Sequence, residues 1–264
     1  MGGSSPVLTV ALSVFNGGQT LAAAVGSVVA QSFADWELLI LDDGSTDGAI
    51  EALPFLGDPR ITVVRDGRNL GLSGRLNQAI SMARGRYLAR MDHDDICHPE
   101  RFAQQVAFLE QHPEVDLLAT RCATMDGGGQ ENGVLPYATE HVQICTRPWS
   151  GFPMPHPSWM GRVEWFRKFL YQDPGPYCCE DQELLLRAYR FSCYHALPEY
   201  LLTYRLRSHT PWLKLWRTRR AFLAVQARFF ARHGEWASVV LTFAVTVLRI
   251  GKDAAGELRH RLRG

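Results

Sequence analysis

Three aspartates lie close together in one short segment: Asp92, Asp94 and Asp95 follow the apolar-rich run Tyr87–Ala89. Neighbouring carboxylates repel one another and raise one another's pKa unless a proton or a cation neutralises them. Carboxylate oxygens are hard ligands that suit Mg²⁺ or Mn²⁺ bound together with a phosphate group. The cluster therefore indicates a divalent-metal site for a phosphate-bearing ligand; the simpler interpretation is a solvated acidic turn before a helix.

A second acidic pair, Asp42 and Asp43, ends another apolar run and precedes the segment 44–47. Gly, Ser, Thr and Asp are also the residues that a strand-to-helix turn requires, so the residues after the pair need no functional explanation. Consecutive acids at the edge of a crevice are costly unless hydrogen-bond donors reach them. We therefore interpret Asp42 and Asp43 as residues at a ligand site.

Two enzyme classes do not fit this pattern. A phosphatase of the haloacid dehalogenase type needs its two acids two positions apart, and that place after Asp42 is taken by Gly44. An oxidoreductase that binds a dinucleotide needs G-x-G-x-x-G after its first strand, where this chain has Phe15–Gln19.

A third acidic pair, Glu180 and Asp181, opens a helix after a loop rich in proline and glycine. Acids in the first turn of a helix are stabilised by the helix dipole whether or not they are catalytic. The other two acidic clusters already indicate a site that needs a general base, and Asp181 is the candidate for that base.

The elements that must position these acids alternate between strands and helices, which predicts βαβ units and a mostly parallel sheet covered on both faces. Ligands of such sheets bind beyond the carboxyl ends of the strands, where one crevice could collect Asn16, the Asp42–Asp43 pair and the Asp92–Asp94 group. Strands are predicted over Val7–Val14, Glu37–Leu41, Arg60–Val64, Arg86–Met91, Val115–Ala119, Ser192–Leu197 and Tyr200–Tyr204. Helices are predicted over Gln19–Gln31, Asp47–Phe55, Leu72–Ala83, 99–112 and 180–190.

An ordered set of short motifs, running over roughly residues 7–205, resembles the inverting family 2 glycosyltransferases of the GT-A fold. Each motif is common on its own, but the ordered set is specific. The motifs are Ser13–Asn16, Gln31–Glu37, Leu41–Asp47, Asn69–Gly71, Asn77–Ile80, Asp92–Asp95, His156–Ser158 and Glu180–Asp181. The resemblance implies an α/β GT-A fold, Rossmann-like, with a mostly parallel sheet flanked by helices.

The resemblance also implies roles for single residues. Asp43 would recognise the nucleobase of a nucleotide-sugar donor, with Phe15 beside it and Ser13 in the same motif. Asp94 would bind a divalent metal, Mn²⁺ or Mg²⁺, on the donor's diphosphate, and Asp92 would contact the ribose or a metal-bound water. Asp181 would be the catalytic base.

The chemistry of glycosyl transfer requires such a set independently of the family name. The leaving diphosphate needs its charge neutralised, and the acceptor hydroxyl must be held in line and relieved of its proton. One base opposite a bound leaving group is enough for a single displacement with inversion.

Five residues have less certain places in this scheme. Arg75 could reach a phosphate or the base, although an exposed position on its helix is the simpler expectation. His156, Trp159 and Glu180 belong to the acceptor side, where the Trp159 ring could stack on a sugar or simply pack within a loop. The family often carries a histidine shortly after a Tyr-Arg pair; here His209 is displaced by two positions, so its role as a ligand stays open.

The chain divides into a nucleotide-sugar-binding half (1–98), an acceptor-binding half (99–205) and a tail (206–264). Residues 205–264 hold 13 Lys/Arg against 3 Asp/Glu, while the remainder of the chain is acidic. This asymmetry argues against nucleic acid as a partner of the core and for a tail that meets an anionic surface.

The tail residues 212–233 form an amphipathic helical pattern, and Trp236–Leu248 is an apolar run of 13 residues, shorter than the roughly 20 that span a bilayer. We expect peripheral membrane contact through 212–250; the alternative is a helical hairpin packed on the catalytic domain or on a partner in a homodimer. The apolar face of the first helix comprises Trp212, Leu215, Trp216, Phe222, Leu223, Phe229 and Phe230.

Six cysteines show neither a CxxC pair nor a companion histidine spacing, and no export signal opens the chain, so a cytoplasmic location at the inner face of the cell membrane is expected. The acceptor would then be a saccharide or a lipid-linked saccharide, and UDP is the expected nucleotide. Two other classes stay open: a nucleotidyltransferase, which should show a basic glycine-rich loop after its first strand, and a non-catalytic nucleotide-binding protein at the membrane.

Overall fold

The computed structural model describes residues 5–206 and 210–261. The strands are β1 Leu8–Val14, β2 Trp36–Asp42, β3 Ile61–Val64, β4 Tyr87–Asp92, β5 Ile96–Cys97, β6 Leu117–Met125, β7 Glu131–Val134, β8 Met160–Arg162 and β9 Tyr194–Arg205. The helices are α1 Thr20–Val29, α2 Gly71–Met82, α3 Arg101–Gln111, α4 His141–Ile144, α5 Val163–Lys168, α6 Glu180–Ala188, α7 Trp212–Arg232 and α8 Trp236–Arg261.

Within the described residues one sheet runs in the order β3-β2-β1-β4-β8-β6-β9-β5, and β7 pairs with β6. The first four strands in this order are parallel to one another. β2 is buried along its whole length, as expected for a parallel strand with helices on both faces. The predicted α/β architecture with a mostly parallel half is confirmed.

The register of β1 decides which side chains meet at the edge of the sheet. Ser13 lies opposite Asp92 of β4 on one side, and Val14 lies opposite Asp42 of β2 on the other. The carboxyl ends of three neighbouring strands are therefore level. The acidic segments that follow β2 and β4 leave the sheet at the same edge.

The second half of the sheet is mixed. β8 pairs antiparallel with both β4 and β6, and β9 runs parallel to β6. β5 comes directly after the acidic segment and pairs antiparallel with the end of β9. This pairing brings Arg205 back to the acids: its backbone N–H donates to Asp95 Oδ1 at 2.8 Å.

Two hydrophobic layers cover the two faces of the sheet. One contains α1 and α3, with Leu21, Val25 and Phe102 buried. The other contains α2, α5 and α6, with Leu76, Phe166 and Leu185 buried. These layers hold the strands between helices, so the strand ends form a firm base for the loops beyond them.

Two of the predicted elements are wrong. Residues 47–55 form turns instead of a helix, because Gly48 takes a φ of +72° and Pro54 has no N–H to continue a helical ladder. The two late strands, Ser192–Leu197 and Tyr200–Tyr204, are one strand, β9, whose register with β6 shifts near Thr120–Cys122. The other strand and helix predictions are confirmed within a few residues at their ends, except that β6 continues to Met125, six residues beyond the predicted end at Ala119.

The tail forms two packed helices, with Gly234 at a φ of +73° between them. The apolar face of α7 contacts the α/β domain: Phe230 is fully buried, Phe222 is 9% exposed, and Gln226 Nε2 donates to the carbonyl of Pro148 at 2.7 Å. Over residues 222–230 the domain covers this face of α7, so the expectation that this part lies in a membrane is wrong, whereas Trp216 nearer the start of α7 is 36% exposed.

A different apolar surface is exposed on α8. Arg249 faces the domain, where it donates to Ser150, and Thr242 and Thr246 are buried. Among the residues that the structure describes, no helix combines the length and the apolar character needed to cross a bilayer. The exposed large apolar side chains of α8 include Trp236, Val240, Phe243, Val247 and Leu248.

Candidate active site

The acidic cluster lies in the turn after β4. One carboxylate oxygen from each of Asp92, Asp94 and Asp95 lies within 4.8 Å of the others. Asp95 is fully buried, and among the described residues its Oδ2 has no hydrogen-bond partner. Burial, and after it the charge of Asp92, raises the pKa of Asp95 to about 8. Three hard oxygen ligands, one of them buried and short of a partner, fit a divalent cation such as Mn²⁺ or Mg²⁺.

Arg90 supplies positive charge beneath this cluster. Its guanidinium contacts both carboxylate oxygens of Asp92 at 2.6 Å, and its side chain is only 4% exposed. Burial is the largest single influence on the pKa of Arg90 and lowers it, but the charge and hydrogen bond of Asp92, together with the charges of Tyr171 and Asp95, outweigh burial and raise the pKa overall. Arg90 is a site residue that was not predicted from the sequence. The sequence does carry a signal for this role: Arg90 lies two residues before Asp92 in a buried strand, and residues i and i+2 of a strand share a face, so their side chains can pair.

Asp43 is held by the loop that follows β3. Its carboxylate accepts hydrogen bonds from the N–H of Leu70 at 2.6 Å and of Gly71 at 3.1 Å, and from Arg75 Nε at 2.9 Å. Arg75 also bonds Asp66 at 2.7 Å. Arg75 is completely buried, so the expected exposed position on its helix is wrong. Its direct contact with a nucleotide stays a prediction; in this structure it fixes Asp43.

The loops after β1 and β2 are tied together beside Asp43. Thr46 N–H donates to Asn16 Oδ1 at 2.9 Å, and Asn16 N–H donates to Ser45 Oγ at 3.0 Å. Asp42 caps the same turn by accepting from Ser45 N–H at 2.8 Å, so Asp42 has a structural role here. Phe15 is half exposed, one residue past the end of β1. An aromatic face is thus available at the end of β1.

Glu180 and Asp181 stand at the start of α6, as predicted. Burial raises the pKa of Asp181 above its ordinary range, although Gln182 Nε2 donates to Asp181 Oδ2 at 3.1 Å and acts in the opposite direction. Burial, and after it the charge of Asp181, raises the pKa of Glu180 to about 7. A buried carboxylate of raised pKa is a better proton acceptor near neutral pH than an exposed one.

His156 connects Glu180 to the protein interior. Its Nε2 lies 2.7 Å from the hydroxyl of Tyr171, and its Nδ1 lies 3.9 Å from Glu180. Burial lowers the pKa of His156 well below its ordinary value, and the charge of Arg90 acts in the same direction. His156 is therefore neutral at physiological pH, and its approach to Glu180 is not an ion pair.

One cavity of about 770 Å³ brings these groups together, and we call it the first cavity. The acid cluster and the candidate base thus face the same space. Asp43, Arg75, Ser13 and Phe15 do not line it, although Leu70 and Gly71, which donate to Asp43, do. The site residues on its wall are Arg90, Asp92, Asp94, His156, Glu180 and Asp181, joined by Tyr204, Arg205 and Lys214.

Two further expectations concern single side chains. Trp159 is fully buried, its Nε1–H donates to the Met154 carbonyl at 3.2 Å, and it is absent from the wall of the first cavity. The expectation that its ring stacks on a sugar is wrong, because the ring packs in the hydrophobic layer beneath the site. His209 lies outside the described residues.

Comparison with known proteins agrees with this geometry. The family model described as Glycosyl transferase family 2 matches residues 9–170. EpsE of Bacillus subtilis (strain 168) is 33% identical over 62% of this chain and 59% of EpsE. The Escherichia coli protein named UDP-Glc:alpha-D-GlcNAc-diphosphoundecaprenol beta-1,3-glucosyltransferase WfgD is 30% identical over 39% of this chain and 41% of its own. The chain spans less than two thirds of the length of either relative.

Solved structures share the fold. Staphylococcus aureus TarS in complex with UDP superposes with a TM-score of 0.65 at 18% identity, over 83% of this chain and 64% of TarS. The mannosyltransferase PcManGT from Pyrobaculum calidifontis, in complex with GDP-Man and Mn²⁺, reaches 0.68 at 15% identity, over 98% of this chain and 76% of its own. Because the family model covers more than half of the chain and the sheet has the same architecture, this protein belongs to glycosyl transferase family 2 and has the GT-A fold.

Proposed function

We propose that this protein is an inverting glycosyltransferase that moves a sugar from a nucleoside diphosphate sugar, UDP-linked in the first instance, to a hydroxyl of a saccharide or lipid-linked saccharide. The observation that carries the proposal is the first cavity, where the acid cluster of Asp92 and Asp94 faces the carboxylate of Asp181. A leaving group held at one side and a base at the other are the two requirements of a single displacement.

The acid cluster is the proposed metal site. Asp94 and Asp92 would hold Mn²⁺ or Mg²⁺, which when bound neutralises charge on the departing diphosphate. PcManGT carries GDP-Man and Mn²⁺ in a structure of the same fold. Arg90 pairs with Asp92 and fixes the direction of its carboxylate, and Arg205 N–H donates to Asp95 beside it.

Asp181 is the proposed general base. It accepts the proton of the acceptor hydroxyl as the hydroxyl oxygen forms its bond to the anomeric carbon and the bond from that carbon to the phosphate oxygen breaks. The electron pair of the broken bond leaves with the nucleoside diphosphate. The raised pKa of Asp181 suits this proton transfer, and Gln182 fixes the direction of its carboxylate.

Asp43, Phe15 and Ser13 form the proposed nucleobase side. Arg75 is a positioning residue, since its bonds to Asp43 and Asp66 hold the loop 66–71 against the end of β2. TarS has been solved with UDP and with UDP-GlcNAc, which favours a UDP-linked donor for this chain as well.

The proposed acceptor is lipid-linked, and the proposed location is the inner face of the cell membrane. WfgD, by its name, uses a GlcNAc-diphosphoundecaprenol acceptor. The exposed apolar side chains of α8, with basic residues along the tail, suit peripheral contact with an anionic membrane. A homodimer formed through the same face of α8 is the alternative.

Thermal unfolding with nucleotides and metal tests the proposal. We expect UDP-sugars to raise the melting temperature only when Mn²⁺ or Mg²⁺ is present, and Asp94→Ala to abolish this response. Formation of an inverted glycosidic product by the wild type, and its loss in Asp181→Asn, completes the test. Indifference to every nucleotide, with or without metal, would remove the assignment.

A further inference from the structure

A second cavity of about 710 Å³ lies beside the first turn of α6, next to the candidate base. Gln182 lines the second cavity, whereas Glu180 and Asp181, directly before it, line the first cavity. Gln182 Oε1 accepts from Phe152 N–H at 2.8 Å, and its Nε2 donates to Asp181 Oδ2 at 3.1 Å. A single side chain therefore connects the wall of the second cavity to the base.

The second cavity is rich in positive charge. Arg147, Arg219 and Arg249 all line it, and no acidic residue of the described part of the chain is among the lining residues. Arg219 is paired with Asp253 at 2.9 Å. Among the described residues, the hydrogen-bond partners of Arg249 are both neutral: the carbonyl of Ser150 at 2.8 Å and the hydroxyl of Ser150 at 3.1 Å.

These three guanidinium groups come from different parts of the fold. Arg147 precedes the short turn 148–150, Arg219 lies on α7 and Arg249 lies on α8, so the tail helices complete the cavity. Arg249 is partly buried, and burial lowers its pKa. Asp253 acts on Arg249 through its charge but forms its ion pair with Arg219. A half-buried cation whose hydrogen bonds go to neutral groups is costly, and an anion in the cavity would reduce that cost.

Guanidinium groups bind phosphate through two parallel hydrogen bonds, which is the geometry they offer best. The remaining wall is apolar: Ile144, Phe152 and Phe222 are all buried side chains that line the cavity. This combination suits a ligand with a phosphate group attached to an apolar or flat part.

We propose that the second cavity binds a phosphate- or diphosphate-bearing ligand through Arg147, Arg219 and Arg249, and, resting on the proposed function, that this ligand is the diphosphate of a lipid-linked acceptor. The cavity then holds the acceptor's diphosphate on one side of the α6 turn while its sugar reaches Asp181 on the other. Gln182 couples diphosphate binding to the position of the base, because its side chain contacts both Phe152 of the cavity wall and Asp181.

Calorimetric titration with farnesyl diphosphate and with pyrophosphate tests this proposal. The titration is done without metal and in the Asp94→Ala background, so that the first cavity contributes no metal-dependent diphosphate binding. We expect both probes to bind and to compete with each other. Arg249→Gln should weaken binding about tenfold and Arg147→Gln about threefold. Arg228→Gln on α7, which does not line the cavity, is the matched control and should bind as the parent does.

Three results would overturn the proposal: no binding of either probe, equal affinity in the two cavity variants and the control, or binding of phosphatidylglycerol vesicles that Arg249→Gln abolishes while farnesyl diphosphate does not bind. The last result would assign the cavity to a phospholipid headgroup. If Arg249→Gln does not fold, Arg147→Gln decides, because the Arg147 side chain is exposed.

The test of the second cavity can fail or succeed independently of the test of the proposed function. Binding of UDP with Mn²⁺ is measured in Arg249→Gln with Asp94 intact, and we expect it to equal the wild type. If UDP fails to bind even the wild type, the proposed function fails, while the pyrophosphate titration still decides whether the second cavity is an anion site.

Discussion

The guanidinium of Arg90 and the carboxylate of Asp92 face each other with two contacts of 2.6 Å, one to each carboxylate oxygen. The two residues are two apart on β4, so their side chains leave the same face of the strand. Arg90 lines the first cavity together with Asp94 and Asp181. The positive charge of Arg90 therefore offsets part of the negative charge of the three carboxylates that lie close together.

Replacing Arg90 by Gln should destabilise the fold and increase its response to metal. Loss of a buried cation leaves Asp92 unpaired, at a cost of about 3 kcal/mol in the free energy of unfolding. A divalent cation can restore the missing charge, so Mn²⁺ should raise the melting temperature of Arg90→Gln more than that of the wild type. Arg86→Gln, which breaks an exposed pair with Glu110, is the control and should cost at most about 1 kcal/mol. An equal response to Mn²⁺ in both variants would contradict this role.

Replacing Asp181 by Asn should lower kcat by a factor of about 10² to 10⁴, because the acceptor hydroxyl loses its base. The affinity for UDP should stay unchanged, since Asp181 belongs to the acceptor side. Burial raises the pKa of Asp181, so the acid limb of the wild-type kcat profile should lie above the ordinary range of an aspartate. Glu183→Gln, on the same helix and paired with Arg187, is the control. Full turnover in Asp181→Asn would assign the base elsewhere.

Glu180 should make the stability of the protein fall as pH rises from about 4.5 to about 7. Its pKa is raised from 4.5 to about 7 in the folded protein, so unfolding within this range releases a proton. The stabilising contribution is complete below the unfolded pKa, is lost as pH rises through the folded value, and is on the order of 3 kcal/mol. Urea unfolding at pH 5 and pH 8 measures it. Glu180→Gln should flatten the difference, and an unchanged slope would show that Glu180 does not carry it.

Replacing Arg75 by Met should weaken UDP binding without changing the ratio of kcat between good and poor acceptors. The variant loses the bonds to Asp43 and Asp66, so the loop 66–71 is no longer fixed and both acids lose a buried partner. We expect a loss of about 3 kcal/mol in the free energy of unfolding. Arg68→Gln is the control, because Arg68 pairs with the same Asp66 but is 67% exposed. Equal effects of the two variants would argue against the positioning role.

Replacing Phe243 and Val247 of α8 by Asp should reduce binding to phosphatidylglycerol vesicles in a flotation assay. Both side chains are more than half exposed, and a charge on this face opposes its burial at a membrane interface. Val142→Asp, 79% exposed on α4, is the matched control. If instead light scattering shows a dimer for the wild type and a monomer for the variant, and both bind vesicles equally, the α8 face is a homodimer interface.

The parallel half of the fold and most site residues could be predicted from the sequence because each rests on local patterns. β1 and β2 are nearly continuous apolar runs, and their length and composition already favour buried strands. The acids of the first cavity follow such strands or begin a helix. The rule that parallel strands end at the same edge predicts that Asp42 and Asp92 are level, whereas it does not predict that Asp181 reaches the same cavity as Asp92.

The errors at Arg75, Trp159 and α7 share a physical origin in contacts between residues that are distant in the sequence. The burial of Arg75 depends on Asp43 and Asp66, which no helical periodicity reveals. The ring of Trp159 packs in the layer beneath the site for the same reason. An amphipathic pattern predicted α7 correctly but could not say whether protein or lipid covers its apolar face. Residues 47–55 failed because their turn chemistry resembles a helix start.

Because the ends of β1, β2 and β4 are level, changes to the donor side of the site and changes to the acceptor side fall in different parts of the chain. The acids proposed to bind the donor follow β2 and β4, in a ladder whose register a single-residue slip would reverse from one face to the other. Residues 136–153 lie outside that ladder and supply much of the wall of the second cavity. Grafting this stretch from a relative should therefore exchange the acceptor while the same activated sugar continues to be used.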